Sequence, residues 1–141
     1  MAVSHYKDLI VWQRSIDLVE RVYAATADFG PDERFGLVSQ LRRAAVSVPS
    51  NIAEGNARRS TKDYARFVAI ALGSIAEIET QIEIAMRLNL LTSNWAQDLL
   101  AECEEISKML IALERKLKAY AASKISEGSE NWSFDSLVPG P

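Results

Sequence analysis

Residues 64–85 read YARFVAIALGSIAEIETQIEIA, and within them Tyr64, Phe67, Ala71, Ile75, Ile78, Ile82 and Ala85 recur by threes and fours. At 3.6 residues per turn that spacing places all seven on one helical face. Ser60-Thr61-Lys62-Asp63 supplies a start, with the Ser60 hydroxyl able to accept from an exposed amide and Asp63 in the favourable first turn. Asn89 or the Leu90-Leu91-Thr92 stretch closes the segment, so the reading predicts a helix over 60–89.

Working outward, three more segments carry the same period. Leu37, Leu41, Ala45, Val48 and Ile52 predict a helix over 33–55, opened by the acids Asp32 and Glu33 and ended by a left-handed Gly55. Pro49 lies inside it, so a kink is expected, with breakage at Val48 as the alternative. Leu9, Trp12, Ile16, Val19 and Tyr23 predict a helix over 8–29, stopped by Gly30-Pro31. Trp95, Leu99, Cys103, Ile106, Leu110, Leu113, Leu117 and Tyr120 predict a helix over 93–122, with an N-cap among Thr92, Ser93 and Asn94. No segment alternates as a half-buried strand would. Four long helices with short connections predict an all-α, antiparallel up-down bundle occupying residues 1–122. From Ser123 the period is lost, and residues 123–141 read as a flexible tail holding Trp132 and Phe134, a candidate docking element for a protein partner.

Composition narrows the function. The chain has 141 residues, 48% hydrophobic and 25% charged, which is one soluble domain's worth and excludes disorder over the whole length. A net charge of −3 and a pI near 5.2 carry no bulk basic signal for nucleic acid. One Cys and one His exclude a disulfide framework and leave no zinc-ligand set. The longest uncharged, mostly apolar run, Phe67 to Ala76, is about half a membrane span. No basic stretch leads into an apolar one at the amino terminus, so the expectation is a cytoplasmic protein without a membrane partner.

Two polar lines interrupt the apolar pattern. Arg43, Ser47, Asn51, Glu54 and Arg58 step along the second helix, and Ser74, Glu77 and Gln81 along the third. Either they form a solvated face, or they meet across helices or subunits in a hydrogen-bonded network that fixes register. Ala44, Ala45, Ala53, Ala71, Gly73 and Ala76 are small enough to allow close approach. These groups do not make a catalytic set: Ser47 beside Glu54 and Arg43 has no proton relay, Cys103 falls on an apolar stripe, and His5 lies in the first few residues. No phosphate loop, HExxH pair or GxSxG elbow is present. The reading is non-enzymatic, with no cofactor and no metal. Basic charge is nonetheless local: residues 42–66 hold Arg42, Arg43, Arg58, Arg59, Lys62 and Arg66 against Glu54 and Asp63, and Lys108, Arg115, Lys116 and Lys118 follow on the fourth helix. In an up-down bundle both groups are expected at one end, which makes Arg58, Arg59, Lys62 and Arg66 candidate contacts for RNA or DNA. A protein-only scaffold is the alternative, favoured by the acidic total.

The run Gly36 to Gly55, GLVSQLRRAAVSVPSNIAEG, closely resembles the pattern GL..QLRRAA.S.P.NIAEG of the 23S rRNA-intervening-sequence proteins, a bacterial family of four-helix bundles. FVAIALGSIAEIETQ at 67–81 and KDLIVWQ at 7–13 support the resemblance, which runs from about Tyr6 to Leu117. It implies an up-down bundle that assembles as a ring-like homopentamer, with molecular function largely unassigned. A more distant similarity is to the pentameric accessory protein of diversity-generating retroelements, which is strongly basic and binds nucleic acid. The acidic total here departs from it.

Overall fold

The computed structural model describes residues 5–127. A 3-10 turn at Tyr6–Asp8 leads into α1 (Ile10–Thr26), and a second at Pro31–Glu33 precedes α2 (Leu37–Ala57). Next come α3 (Thr61–Arg87) and α4 (Ser93–Glu127), with no strand among the described residues. Each helix packs on its chain neighbours and α4 closes back on α1, while the backbones of the diagonal pairs stay apart. Side chains pair in descending order across two of these seams: Arg14 with Glu102 and Arg21 with Asp98 between α1 and α4, Gln40 with Gln81 and Ser47 with Ser74 between α2 and α3. Those registers make the neighbours antiparallel.

Local chemistry explains most helix ends. Ser60 Oγ accepts from the Asp63 amide at 3.2 Å, and Thr92 Oγ1 from the Trp95 amide at 3.3 Å. Asp32 and Glu33 fall in the 3-10 turn rather than in α2, yet the Glu33 carboxylate still accepts from the Leu37 amide at 3.3 Å. Gly30, at φ 94°, lets the chain turn into Pro31. Asn89 takes the left-handed conformation at φ 59°, and the Leu90 amide reaches back to the Ala85 carbonyl at 2.9 Å, which closes α3. α2 is not broken at Val48. It runs through Pro49, whose missing amide leaves only the Ala45 carbonyl without its usual partner.

Gly55 does not end α2. It is helical, and Arg58 is the extended residue that follows Ala57. Its glycine serves packing, because a Cβ there would lie 2.8 Å from Phe67 Cβ and 2.9 Å from Tyr64 Cδ1. Two further expectations shift. All seven residues of the α3 stripe are buried, but α1 buries Val11, Ser15, Leu18 and Val22, while Trp12, Ile16 and Val19 are half-buried and Tyr23 is exposed. Two overlapping 3–4 stripes coexist in α1, and a serine disguised the inner one; its hydroxyl donates to the Trp12 carbonyl at 2.7 Å, so its burial is satisfied. α4 continues through Glu127, so residues 123–127, expected in the tail, are helical, while Trp132 and Phe134 lie outside the described residues. Trp95, on the expected α4 stripe, is 37% exposed rather than part of the core.

The core is a single cluster drawn from all four helices, with Leu18, Leu41, Ile52, Tyr64, Ile78, Ile82, Leu99, Ile106 and Leu117 nearly inaccessible. Among the described residues no helix is long and apolar enough to cross a membrane.

Candidate functional site

Three polar arrangements stand out on this frame. The first is the junction of α2 and α3, where the extended backbone at Arg58 and the cap at Ser60 turn the chain through three residues. Arg58 donates to Glu54 at 2.9 Å and lies 5.0 Å from the centroid of the Phe67 ring. Arg66 approaches the same ring at 4.9 Å, with Asp63 at 4.0 Å. A buried ring thus fixes two guanidiniums by cation–π contact. Arg59 and Lys62 are exposed beside them. Four cations therefore stand against the carboxylates of Glu54 and Asp63. The antiparallel order also brings the last turns of α4, with exposed Arg115 and Lys116, to this end of the bundle.

Arg42 and Arg43 do not join that junction. They stand about 24 Å away along α2, at 1.5 Å per residue. The basic run of 42–66 is therefore split between the two ends of one helix.

The second arrangement is a neutral seam between α2 and α3. The Ser47 and Ser74 hydroxyls are 2.8 Å apart, and Asn51 Nδ2 donates to the Ser47 carbonyl at 2.8 Å and to its hydroxyl at 2.9 Å. Two turns further on, Gln81 Nε2 donates to Gln40 Oε1 at 3.4 Å. Arg43 and Glu77, which share the sequence lines, are exposed and stay out of these contacts, and Glu54 turns to Arg58 instead. Gln40 extends the α2 polar line by one step of three before Arg43, although the line as read from the sequence begins at Arg43. Gln81 is buried among its neighbours.

The third arrangement was missed in the sequence. Between the end of α1 and the start of α2, Tyr23, Arg34, Phe35, Arg42, Arg43 and Val46 line a groove of about 510 Å³. Arg42 is held in place: Nε donates to Thr26 Oγ1 at 3.0 Å, Nη2 to the Tyr23 carbonyl at 3.3 Å, and the guanidinium lies 4.4 Å from the Tyr23 ring centroid. Arg34 sits 5.3 Å from the Phe35 ring, which is 86% exposed. Leaving that ring in water forgoes roughly 2 kcal/mol of burial. The only signal in the sequence was an aromatic outside any periodic stripe.

Proton chemistry finds little support in these sites. Burial pushes the Cys103 thiol up to about 12, which removes its thiolate at neutral pH. His5 Nδ1 accepts from the Lys7 amide at the exposed amino-terminal turn. Among the described residues, no group of three or more His, Cys, Asp or Glu side chains is placed to hold a metal ion.

Comparison with curated proteins finds no match. Among solved structures, the chain is similar to a protein of unknown function from the S23 ribosomal protein family of Bacteroides thetaiotaomicron, with a TM-score of 0.68 at 24% identity, covering 74% of this chain and 98% of that one. That likeness concerns the fold. The family model of the 23S rRNA-intervening sequence proteins matches residues 7–112, a span that takes in the second 3-10 turn, the neutral seam and the α2–α3 part of the basic junction. Four antiparallel helices and a family match over most of the sequence lead to one assignment: the chain belongs to the 23S rRNA-intervening sequence protein family.

Proposed function

We propose that this protein is a self-assembling, non-catalytic adaptor that takes RNA or DNA at the α2–α3 end of its bundle, without a cofactor or metal. The observation that carries the reading is the junction itself. Arg58, Arg59, Lys62 and Arg66 collect there against two carboxylates, and Phe67 fixes two of the four. Held cations offer phosphates a contact that requires little further ordering. Repetition of the junction in an oligomer multiplies a contact that is weak in one subunit.

Assembly as a homopentamer is part of the proposal and comes from the family resemblance. It is supported by the outer surface of α3, where Ile70 and Ile84 are exposed beside the small residues Ala69 and Ala76. Glu77 of the polar line lies exposed on the same helix, available to a neighbouring subunit. Sedimentation should give an oligomer at micromolar concentration, and a monomer would end this part of the reading.

Binding is tested by replacing Arg58, Arg59 and Lys62 with Ala and titrating a labelled single-stranded RNA at several salt concentrations. Phosphate contacts release counterions, so the native affinity should fall steeply with salt, and the triple variant should lose both the affinity and the slope. Unchanged binding, or binding that ignores salt, would leave the protein-only scaffold as the better reading. The exposed Phe35 ring in its arginine groove is the observation favouring that second reading.

A further inference from the structure

The arginine groove lies at the opposite end of α2 from the basic junction, and nothing in the proposed nucleic-acid contact uses it. Its walls combine exposed apolar surface from Tyr23, Phe35 and Val46 with guanidiniums from Arg34 and Arg43. Neither the Arg43 nor the Arg34 guanidinium has a polar partner among the described residues, and that of Arg34 stacks on the Phe35 ring. Such a groove fits a short segment that offers both aromatic rings and carboxylates. The chain carries one: residues 130–135 read Glu-Asn-Trp-Ser-Phe-Asp, two aromatics bracketed by two acids.

We propose that this groove receives residues 130–135 of a second copy of the chain. The rings of Trp132 and Phe134 enter against Phe35, Tyr23 and Val46, and the carboxylates of Glu130 and Asp135 meet Arg34 and Arg43. Geometry decides between the same copy and another. Arg21 pairs with Asp98, so Tyr23 stands level with the first turns of α4. From Asp98 to Glu127 the helix descends about 44 Å at 1.5 Å per residue. Phe134, seven residues beyond Glu127, reaches back at most about 24 Å even if fully extended. The segment cannot meet its own groove.

A nucleic acid is the poorer occupant. Asp28, Asp32 and Glu33 border this end of α1 and α2, so a continuous polyanion would face carboxylates as well as arginines. A segment with only two acids avoids that conflict. The inference rests on neither the basic junction nor the number of subunits.

The test uses the full chain with a photoreactive benzophenone amino acid placed at position 132, prepared by unfolding and refolding together an equal mixture of nitrogen-15-labelled and unlabelled protein, so that any oligomer contains both. Irradiation and mass spectrometry should find cross-links from position 132 to residues 34–46, with mixed-isotope pairs as abundant as same-isotope pairs. Arg43→Glu should cut the yield about tenfold, the scale of losing one charge pair at an interface centre. Adding Asp135→Arg to Arg43→Glu should restore it. Arg43 is exposed, so the swap leaves the core untouched, and Phe35→Ser should lower the yield independently. Cross-links confined to same-isotope pairs, links that fall elsewhere on the bundle, or a yield indifferent to Arg43→Glu would each overturn the proposal. So would a single-stranded oligonucleotide that itself cross-links to residues 34–46 and abolishes the contact from position 132.

Discussion

Along the seam between α2 and α3, Gly55 meets Phe67 and Tyr64, and Ser47 meets Ser74. Along the seam between α1 and α4, Arg14 and Arg21 meet Glu102 and Asp98. The first uses small and neutral groups, which can be buried once their hydrogen bonds are made, so the two helices come together closely. The second uses charges, whose hydration is costly to lose, so the arginines stay partly in water and the largely buried Glu102 is held by a paired guanidinium. The difference separates two jobs. The neutral seam sets how near the backbones lie, and the charged seam orients helices that apolar packing already holds. It also predicts that the two seams respond to different insults, the first to added volume and alkali, the second to acid and salt.

The largest effect is expected from volume. A Cβ at Gly55 has to displace Phe67 or Tyr64, one contact being to a Cβ atom that cannot swing aside. Overpacking of this kind costs about 1–3 kcal/mol, against which Ala regains up to about 1 kcal/mol of helix propensity over Gly. Gly55→Ala should therefore lose about 1 kcal/mol and Gly55→Val about 3 kcal/mol, read as a lower midpoint in urea. Gly73 is the control on α3, since nothing lies within 4 Å of its Cβ position. Gly73→Ala should be neutral or gain up to about 1 kcal/mol. Equal effects at the two glycines would break the claim that the neutral seam is set by close approach.

Alkali comes next. Tyr64 is inaccessible between α2 and α3, where burial pushes its hydroxyl up to about 12 while Asn56 partly offsets the shift. Raising the folded value favours the neutral form in the native state. Its contribution is therefore whole below pH 10, the ordinary value, and declines as pH rises toward 12. Cys103, also raised to about 12 by burial, begins to act from its ordinary value of 9.0. Stability measured against pH should fall from about pH 9 upward, and Tyr64→Phe should flatten the part above about pH 10. An unchanged alkaline limb in that variant would count against the assignment.

These two seams were unequally legible in the sequence. The α3 stripe could be read because its seven positions are large, apolar or aromatic, and no second stripe competes with them. The α1 stripe could not, because two apolar lines overlap and the buried one contains Ser15. Gly55 was visible as a glycine, but its role depends on Phe67 and Tyr64 approaching from another helix, which local propensity does not encode. The residues of the basic junction were visible because they are neighbours in sequence. The arginine groove was not, since Tyr23 belongs to α1 and the others to the turn and α2. Arg14 and Glu102 were invisible for the same reason, being far apart along the chain.

A smaller effect should follow from the serine pair. Ser74 is buried, so Ser47→Ala leaves its hydroxyl, and the Asn51 amide that donated to Ser47 Oγ, with one contact fewer. The loss should be about 1–2 kcal/mol, and the double change Ser47→Ala with Ser74→Ala should cost less than the two singles together, because no hydroxyl is then left unpaired. Strict additivity in a double-mutant cycle would show that the hydroxyls do not interact.

The smallest effect belongs to the charged seam. Arg14 grips Glu102 with two nearly parallel bonds, Nε to Oε1 at 2.8 Å and Nη2 to Oε2 at 2.9 Å. The Glu102 side chain is only 12% exposed, but that of Arg14 is 36% exposed, so solvent screens the pair and its worth is held to about 1 kcal/mol. The Arg14 hydrogen bond, more than its charge, holds the Glu102 carboxyl below its ordinary value of 4.5, with burial opposing and Arg21 adding a weaker pull. Because the folded value is lowered, the contribution is whole above pH 4.5 and is lost as pH falls through the depressed value. Glu102→Gln should cost about 1 kcal/mol near neutrality and flatten the acid limb, and it should touch the alkaline limb only through the small part that the Glu102 charge plays in raising Cys103. Arg14→Ala should cost less than Glu102→Gln, since Arg21 already stands 3.9 Å from Glu102 and remains to hold it. A reversed order would mean that the aliphatic stem of Arg14, packed between α1 and α4, matters more than its charge.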